Sequence, residues 1–332
     1  MTDETGANTP SIFLIAGEPS GDILGARLMD GLQALSPNGV DCHGIGGTMM
    51  SARGLKSLFQ ISEIALMGIS EILPHLPNLI SRINEAVRTI KEVRPDVVVT
   101  IDSPGFCLRV AKKLKGSGIP VVHYVAPSVW AWKSWRAKQM SGYLDKVLAL
   151  LHFEPPFFEK HGLPCEFVGH PVLESGANKG SAELFRKNFN VAASRRLLGV
   201  MPGSRRGEVT RHLPIIKETL EATADLQDNT DLVVPLAESV EGLVRDEMSG
   251  WRHIVHFVSE EHKYDAFAAM DAAVAASGTV SLELALAKVP FVTIYKMAPL
   301  SDYLARRVVE LKYVNLINIL LDEEVVPELL LE

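Results

Sequence analysis

The chain has 332 residues, 47% of them hydrophobic and 22% charged, with a net charge of -7. That length predicts about two domains with ample apolar material for their cores, and the negative balance excludes a protein that coats nucleic acid, which needs surplus Lys and Arg. Cys42, Cys107 and Cys165 form no CxxC pair and no zinc spacing, so three reduced thiols of a cytoplasmic protein are expected. Residues 1–11 lack an apolar signal core, and Asp271, Glu283 and Lys288 interrupt the longest apolar stretch at 266–295, so no membrane span is expected.

Residues 11–16 (SIFLIA) are an apolar run ending at Gly17, as a buried parallel strand would be. Helical spacing follows over 21–35 and again over about 79–93, where Pro95 stops it. Residues 97–101 (VVVTI), 120–125 (PVVHYV), 146–151 (KVLALL) and 165–168 read as strands, with a helix over 106–115. Glycines and prolines crowd 169–190, which predicts a hinge or linker. The pattern restarts with a strand at 196–201 (RLLGVM), a helix over about 208–226, and strands at 231–236, 254–258, 272–276 and 290–295. Strands alternating with helices imply parallel sheets with right-handed crossovers. The expected fold class is therefore α/β, with two Rossmann-like lobes spanning 1–170 and 171–332.

Ligands of parallel α/β sheets bind beyond the carboxyl ends of strands, and several such ends carry unusual residues here. Gly17-Glu18-Pro19-Ser20-Gly21-Asp22 makes a tight turn into a helix that Ser20 or Asp22 could cap. It reads either as a close backbone approach to a sugar or phosphate or as an ordinary strand–helix turn. It is not GxGxxG, which removes the dinucleotide fingerprint. Asp102, just past VVVTI, is a carboxylate at a buried strand end: a proton acceptor for an attacking hydroxyl, or the N-cap of the next helix. Gly203, Ser204 and Arg205 follow RLLGVM in the run Pro202 to Glu208. Free N–H groups and a guanidinium fork there fit a diphosphate; a solvated basic turn is the plain alternative. Ser277, Gly278 and Thr279 open a second helix carrying Glu283, whose carboxylate is either an acceptor for both ribose hydroxyls or a helix-dipole partner. The aromatic run 124–132, with Ser128 and Trp130, is a sugar platform or core packing. In 65–83, Leu66, Met67, Ile69, Ile72, Leu73 and Leu76 form either core or a lipid-facing patch, and Pro74 and Pro77 are expected to prevent one clean helix.

With those residues, and with Gly44-Ile45-Gly46-Gly47, His123 to Trp132, Val168-Gly169-His170-Pro171 and Tyr313-Val314-Asn315-Leu316 followed by Asn318, the sequence resembles the lipid-A-disaccharide synthase family of two-lobed GT-B glycosyltransferases. The resemblance implies an acceptor-binding lobe over 1–170, a UDP-donor-binding lobe over 171–332 and a cleft between them. It implies transfer of a sugar from UDP-2,3-diacylglucosamine to 2,3-diacylglucosamine 1-phosphate (lipid X), with no metal or cofactor. Asp102 matches the family's proposed general base, Arg205 its diphosphate contact and Glu283 its ribose-binding position. Asn318 matches a functionally sensitive asparagine on the donor side. Glu18, Ser20, Ser128 and Trp130 fall on the acceptor side. The 65–83 segment would dock the enzyme peripherally on the cytoplasmic face of the inner membrane, and a homodimer is a further expectation. Gly105 stands where some relatives have a second acidic residue, Ile317 replaces a common proline, and family members continue past residue 332 with further helices. A UDP-sugar 2-epimerase of the same fold and a non-catalytic UDP-sugar or lipid binder are the alternatives.

Overall fold

The run SIFLIA becomes β1 (Ser11–Ala16), and residues 12–16 are buried on both faces, as a central parallel strand requires. This computed structural model describes residues 9–64, 69–131, 135–223, 229–297 and 312–330, without the side chains of 69–76. The chain divides into two units, Met1–His170 and Pro171–Glu332.

In the first unit β1 is joined by β2 (Asp41–Ile45), β3 (Val97–Ile101), β4 (Val121–Tyr124), β5 (Lys146–Ala149) and β6 (Cys165–Phe167) in the spatial order β2-β1-β3-β4-β5-β6. Every pairing is parallel, with Ile12 opposite both Cys42 and Val97. The second unit repeats the plan with β7 (Arg196–Met201), β8 (Thr230–Pro235), β9 (Val255–Val258), β10 (Ala272–Ala276), β11 (Phe291–Tyr295) and β12 (Glu328–Leu330), ordered β12-β11-β10-β7-β8-β9. The expected α/β class with two parallel sheets is observed. In each sheet the order reverses once, between β1 and β3 and between β7 and β10. Successive connections leave such a point toward opposite sides and open a crevice at the strand ends.

Two local expectations are corrected, and one strand was not foreseen. The segment before β3 is one helix, Ile69–Val93, running through Pro74 and Pro77. Each proline removes a backbone donor and costs about 3 kcal/mol in a helix interior, but Leu79, Ile83, Ala86, Val87 and Ile90 anchor one face in the core and hold the element together. The polar stretch DCHGI is strand β2, at the sheet edge, where only one flank needs a partner. The linker expected over 169–190 is mostly structured: Ala182–Asn188 is a helix capped by Ser181 Oγ, which accepts the Leu184 N–H, and its Phe185 is buried in the second unit's core. Among the described residues no helix is long and apolar enough to cross a membrane.

Candidate functional site

At the reversal point of the first sheet, the loops after β1 and β3 touch. Gly17 lies so close to Ser103 that a Cβ on it would fall 2.4 Å from both Cβ and Oγ of that serine, so only glycine permits the approach. Asp102 and Ser103 both hold left-handed backbone, with φ of 49° and 43°, and Val125 after β4 has φ 77°. A β-branched residue in that region is strained by about 1–3 kcal/mol. The strain is locked in by the Asp102 N–H, which donates to Tyr124 O at 2.9 Å, and the Val125 N–H, which donates to Leu148 O at 3.0 Å. Ser20 Oγ donates to Asp102 Oδ2 at 3.3 Å, so the structure brings these two predicted residues together. Glu18 is the half-buried N-cap residue of helix Pro19–Leu35. Neither Ser20 nor Asp22 caps that helix. The Asp22 carboxylate turns away and accepts the N–H groups of Gly47, Met49 and Met50 at 2.7, 2.9 and 3.1 Å.

The aromatic run after β4 folds back on the same edge of the sheet. Trp130 meets Phe153 edge to face at 5.1 Å between centroids and donates its indole N–H to Glu154 Oε1 at 3.0 Å. Burial raises the Glu154 carboxyl above its ordinary range, while the Leu151 N–H and Trp130 pull it back down. Ser128 is exposed. His123 is fully buried, bonded through Nδ1 to Thr100 Oγ1 at 2.8 Å, and its Nε2 has no partner among the described residues. Burial, reinforced by the charge of Arg136, lowers its pKa from 6.5 to about 4. Of the apolar patch, Leu66 and Met67 lie outside the described residues, and Ile69, Ile72, Leu73 and Leu76 are placed on the helix by backbone alone.

The second unit's reversal point holds a cavity of about 430 Å³. Gly203, Ser204 and Arg205 line it from the end of β7, and Ser277, Gly278, Thr279 and Glu283 from the end of β10. The loop at 203–205 leads into helix Arg206–Ala222, so the opening turn of that helix, with Glu208, stands at the cavity wall. Gly203 has φ 116°, and a Cβ there would sit 2.4 Å from Glu208 Oε2. The glycine therefore makes room for Glu208, which accepts the Ser204 N–H at 3.2 Å and Arg205 Nη1 at 3.0 Å. Ser239 Oγ braces the same loop by donating to Ser204 O at 2.9 Å. Ser277 Oγ donates to Val314 O at 2.9 Å, which fixes the opposite loop.

Sequence reasoning missed Glu208 as a partner and missed Lys263 and Tyr264 altogether. Lys263 Nζ lies 2.9 Å from Glu283 Oε1 and 3.0 Å from Glu260 Oε1, and Tyr264 OH donates to Glu283 Oε1 at 2.9 Å. Burial acts to lower the Lys263 pKa, but the charges of Glu283 and Glu260 and their hydrogen bonds raise it overall. The i,i+3 spacing from Arg205 to Glu208 was a readable signal; nothing local marks Lys263. Asn318 is not brought to the cavity. It is fully buried: Oδ1 accepts the N–H groups of Val325 and Val326, and Nδ2 donates to Val326 O and Glu328 Oε1. With its amide oxygen and nitrogen both engaged, it fastens the segment before β12. Among the described residues no cluster of three or more His, Cys, Asp or Glu is arranged to hold a metal ion.

Comparison with known proteins adds to this geometry. The family model for lipid-A-disaccharide synthetase matches residues 12–332. A lipid-A-disaccharide synthase of Rhodospirillum centenum is 49% identical over 322 residues, covering 96% of this chain and 80% of that protein. One of Paramagnetospirillum magneticum is 48% identical over 323 residues, covering 96% and 83%. Among solved structures, the UDP-GlcNAc 2-epimerase of Neisseria meningitidis bound to UDP-GlcNAc is similar with TM-score 0.61 at 13% identity, over 95% of this chain and 90% of that one. The S. aureus MnaA–UDP co-structure is similar with TM-score 0.62 at 12% identity, over 95% and 87%. At such identities the likeness speaks for the fold alone.

Proposed function

Because the chain belongs to the lipid-A-disaccharide synthase family, glycosyltransferases of lipid A biosynthesis, we propose that it transfers the diacylglucosaminyl group of UDP-2,3-diacylglucosamine to the 6-hydroxyl of 2,3-diacylglucosamine 1-phosphate. The products are a β-1,6-linked disaccharide 1-phosphate and UDP. The observation that carries this reading is the convergence of Gly203–Arg205, Ser277–Thr279 and Glu283 on one cavity at the reversal point of the second sheet. Its volume of about 430 Å³ falls within the range of small-molecule sites.

In this reading the UDP diphosphate lies against the 203–205 loop. The anomeric C–O bond to UDP breaks with its electron pair moving to the β-phosphate oxygen. The guanidinium of Arg205 and the N–H groups opening helix Arg206–Ala222 stabilise that charge where it develops. The acceptor hydroxyl attacks from the opposite face, inverting the anomeric carbon, and gives its proton to Asp102. The strained backbone of Asp102 and Ser103 and the hydrogen bond from Ser20 support that role, since such strain persists where the surroundings fix a functional side chain. Glu18, Ser128 and Trp130 stand at the same carboxyl edge and are assigned to the acceptor sugar. Both substrates carry acyl chains, so residues 66–76 are assigned to the lipid surface and the enzyme to the cytoplasmic face of the inner membrane.

The test is to incubate the chain with the acylated UDP donor and lipid X and follow products by mass spectrometry. A disaccharide 1-phosphate formed with stoichiometric UDP is the expected result. Inversion at the sugar C2 without disaccharide would replace transfer by epimerisation. UDP binding with no product in either assay would leave a binding protein.

A further inference from the structure

The donor cavity is not the basic pocket that a diphosphate site calls to mind. Among the described residues its lining contains two cations, Arg205 and Lys263, against three carboxylates, Glu208, Glu260 and Glu283. Arg205 is paired with Glu208. Lys263 is a half-buried ammonium held between Glu260 and Glu283. Burying such a charge is costly without a purpose, and the geometry around Glu283 supplies one. Lys263 Nζ and Tyr264 OH both take Oε1, each at 2.9 Å. A carboxylate oxygen offers two lone-pair sites, so Oε1 is saturated. Among the described residues no donor takes Oε2, and Glu283 lines the cavity.

We propose that Lys263, assisted by Tyr264, is the positioning residue for nucleotide sugar recognition: the two donors fill Glu283 Oε1, fix the carboxylate's rotation and leave Oε2, with two lone pairs, to the vicinal hydroxyls of a ribose. This rests on the reading of the cavity as a UDP site.

The experiment is calorimetric titration of the full chain with UDP, 2′-deoxy-UDP and 2′,3′-dideoxy-UDP. The wild type should bind UDP on the order of tenfold or more tighter than the dideoxy analogue, the worth of one or two hydrogen bonds to a carboxylate. Glu283→Gln should lose most of that ratio. Lys263→Met should lose it to the same extent, with no further loss in the double variant, and Lys263→Arg should retain it. Tyr264→Phe, a milder change, should lower the ratio by about twofold to fivefold. If Lys263→Met weakens all three nucleotides equally while Glu283→Gln alone changes the ratio, Lys263 is a charge balance only and the proposal falls. Should Lys263→Met fail to fold, an unchanged ratio in Tyr264→Phe overturns it instead. If Glu283→Gln keeps the wild-type ratio, the ribose reading itself is wrong and the proposal goes with it.

Discussion

Gly203→Ala places one methyl group where the cavity wall has no room for it. The backbone there has φ 116°, and the new Cβ would sit 2.4 Å from Glu208 Oε2 and 2.7 Å from Glu208 Cβ. An L-residue in that conformation costs about 1–2 kcal/mol. The flexible end of Glu208 can swing away, but its Cβ is fixed on the helix, so the loop itself must shift. Moving Glu208 forfeits its bonds from the Ser204 N–H and Arg205. Hydrogen bonds to a charged group are worth about 1.5–3 kcal/mol each, reduced here because Arg205 is 63% exposed and screened by water. A total near 3 kcal/mol follows, which at ~2–4 °C per kcal/mol for a domain of this size lowers Tm by about 6–12 °C. The displaced loop also misaligns the N–H groups proposed for the diphosphate, so the UDP Kd should rise by about tenfold or more. Differential scanning fluorimetry and calorimetry with UDP measure the two effects. A variant with wild-type Tm and wild-type UDP affinity would refute the claim that Gly203 exists to seat Glu208 beneath the phosphate loop.

Asp102→Asn should abolish disaccharide formation while the UDP Kd, measured by calorimetry, stays within about twofold; ordinary turnover would remove Asp102 as general base. Asn318→Ala should act on stability before binding: it leaves the buried Val326 N–H and C=O without their side-chain partner and takes one donor from the Glu328 carboxylate, which keeps the N–H groups of Val314 and Asn315, a loss of about 2–3 kcal/mol in urea unfolding. A large rise in UDP Kd at unchanged stability would instead make it a ligand contact. His123 makes the chain acid-sensitive. Its folded pKa is lowered to about 4 by burial, so between pH 6.5 and 4 the unfolded chain binds a proton that the native state excludes. Stability is therefore full above about pH 6.5 and falls by up to roughly 3 kcal/mol as pH drops to 4. Replacing His123 by Gln should flatten that part of the curve in urea titrations at pH 7 and pH 4.5, and an unchanged slope would count against it.

What could be read from the sequence and what could not follow one physical division. Strands β1, β3, β7 and β10 lie at the centre of their sheets and are largely buried, so each is a mainly apolar run, and each was visible as one. Strand β2 is an edge strand of mixed polarity and left no such trace, and β12 is three residues long. The loops of the candidate site were legible for a related reason. A chain leaving a buried strand at a sheet's reversal point must turn at once, and Gly17, Gly203 and Gly278 mark the turns. Partners were not legible. Lys263 is 20 residues from Glu283 and Asp22 is 25 from Gly47, and such pairings exist only once the sheets have formed. The bonds of Asn318 were hidden in the same way, because an asparagine that meets four backbone and carboxylate groups looks in sequence like one that awaits a substrate.

The pairing found at Arg205 changes how the proposed donor site would work. In sequence the Gly-Ser-Arg turn reads as a waiting cation, yet Arg205 is already occupied by Glu208. That pair is weak by construction. Its guanidinium side is 63% exposed, and an exposed ion pair contributes about 0–1 kcal/mol. A diphosphate offers the same fork more charge and a matching bidentate geometry, so exchange of partner costs little. Glu208 does not become a stranded charge when Arg205 leaves, because the Ser204 N–H still donates to its Oε2. Lys263 is placed the other way. It is more enclosed and held by two carboxylates at once, so releasing it would leave Glu283 and Glu260 facing an incoming anion unneutralised. Under the proposed function these two cations are suited to different work: Arg205 to follow the phosphate charge as it develops, Lys263 to stay still and hold the carboxylate assigned to the sugar.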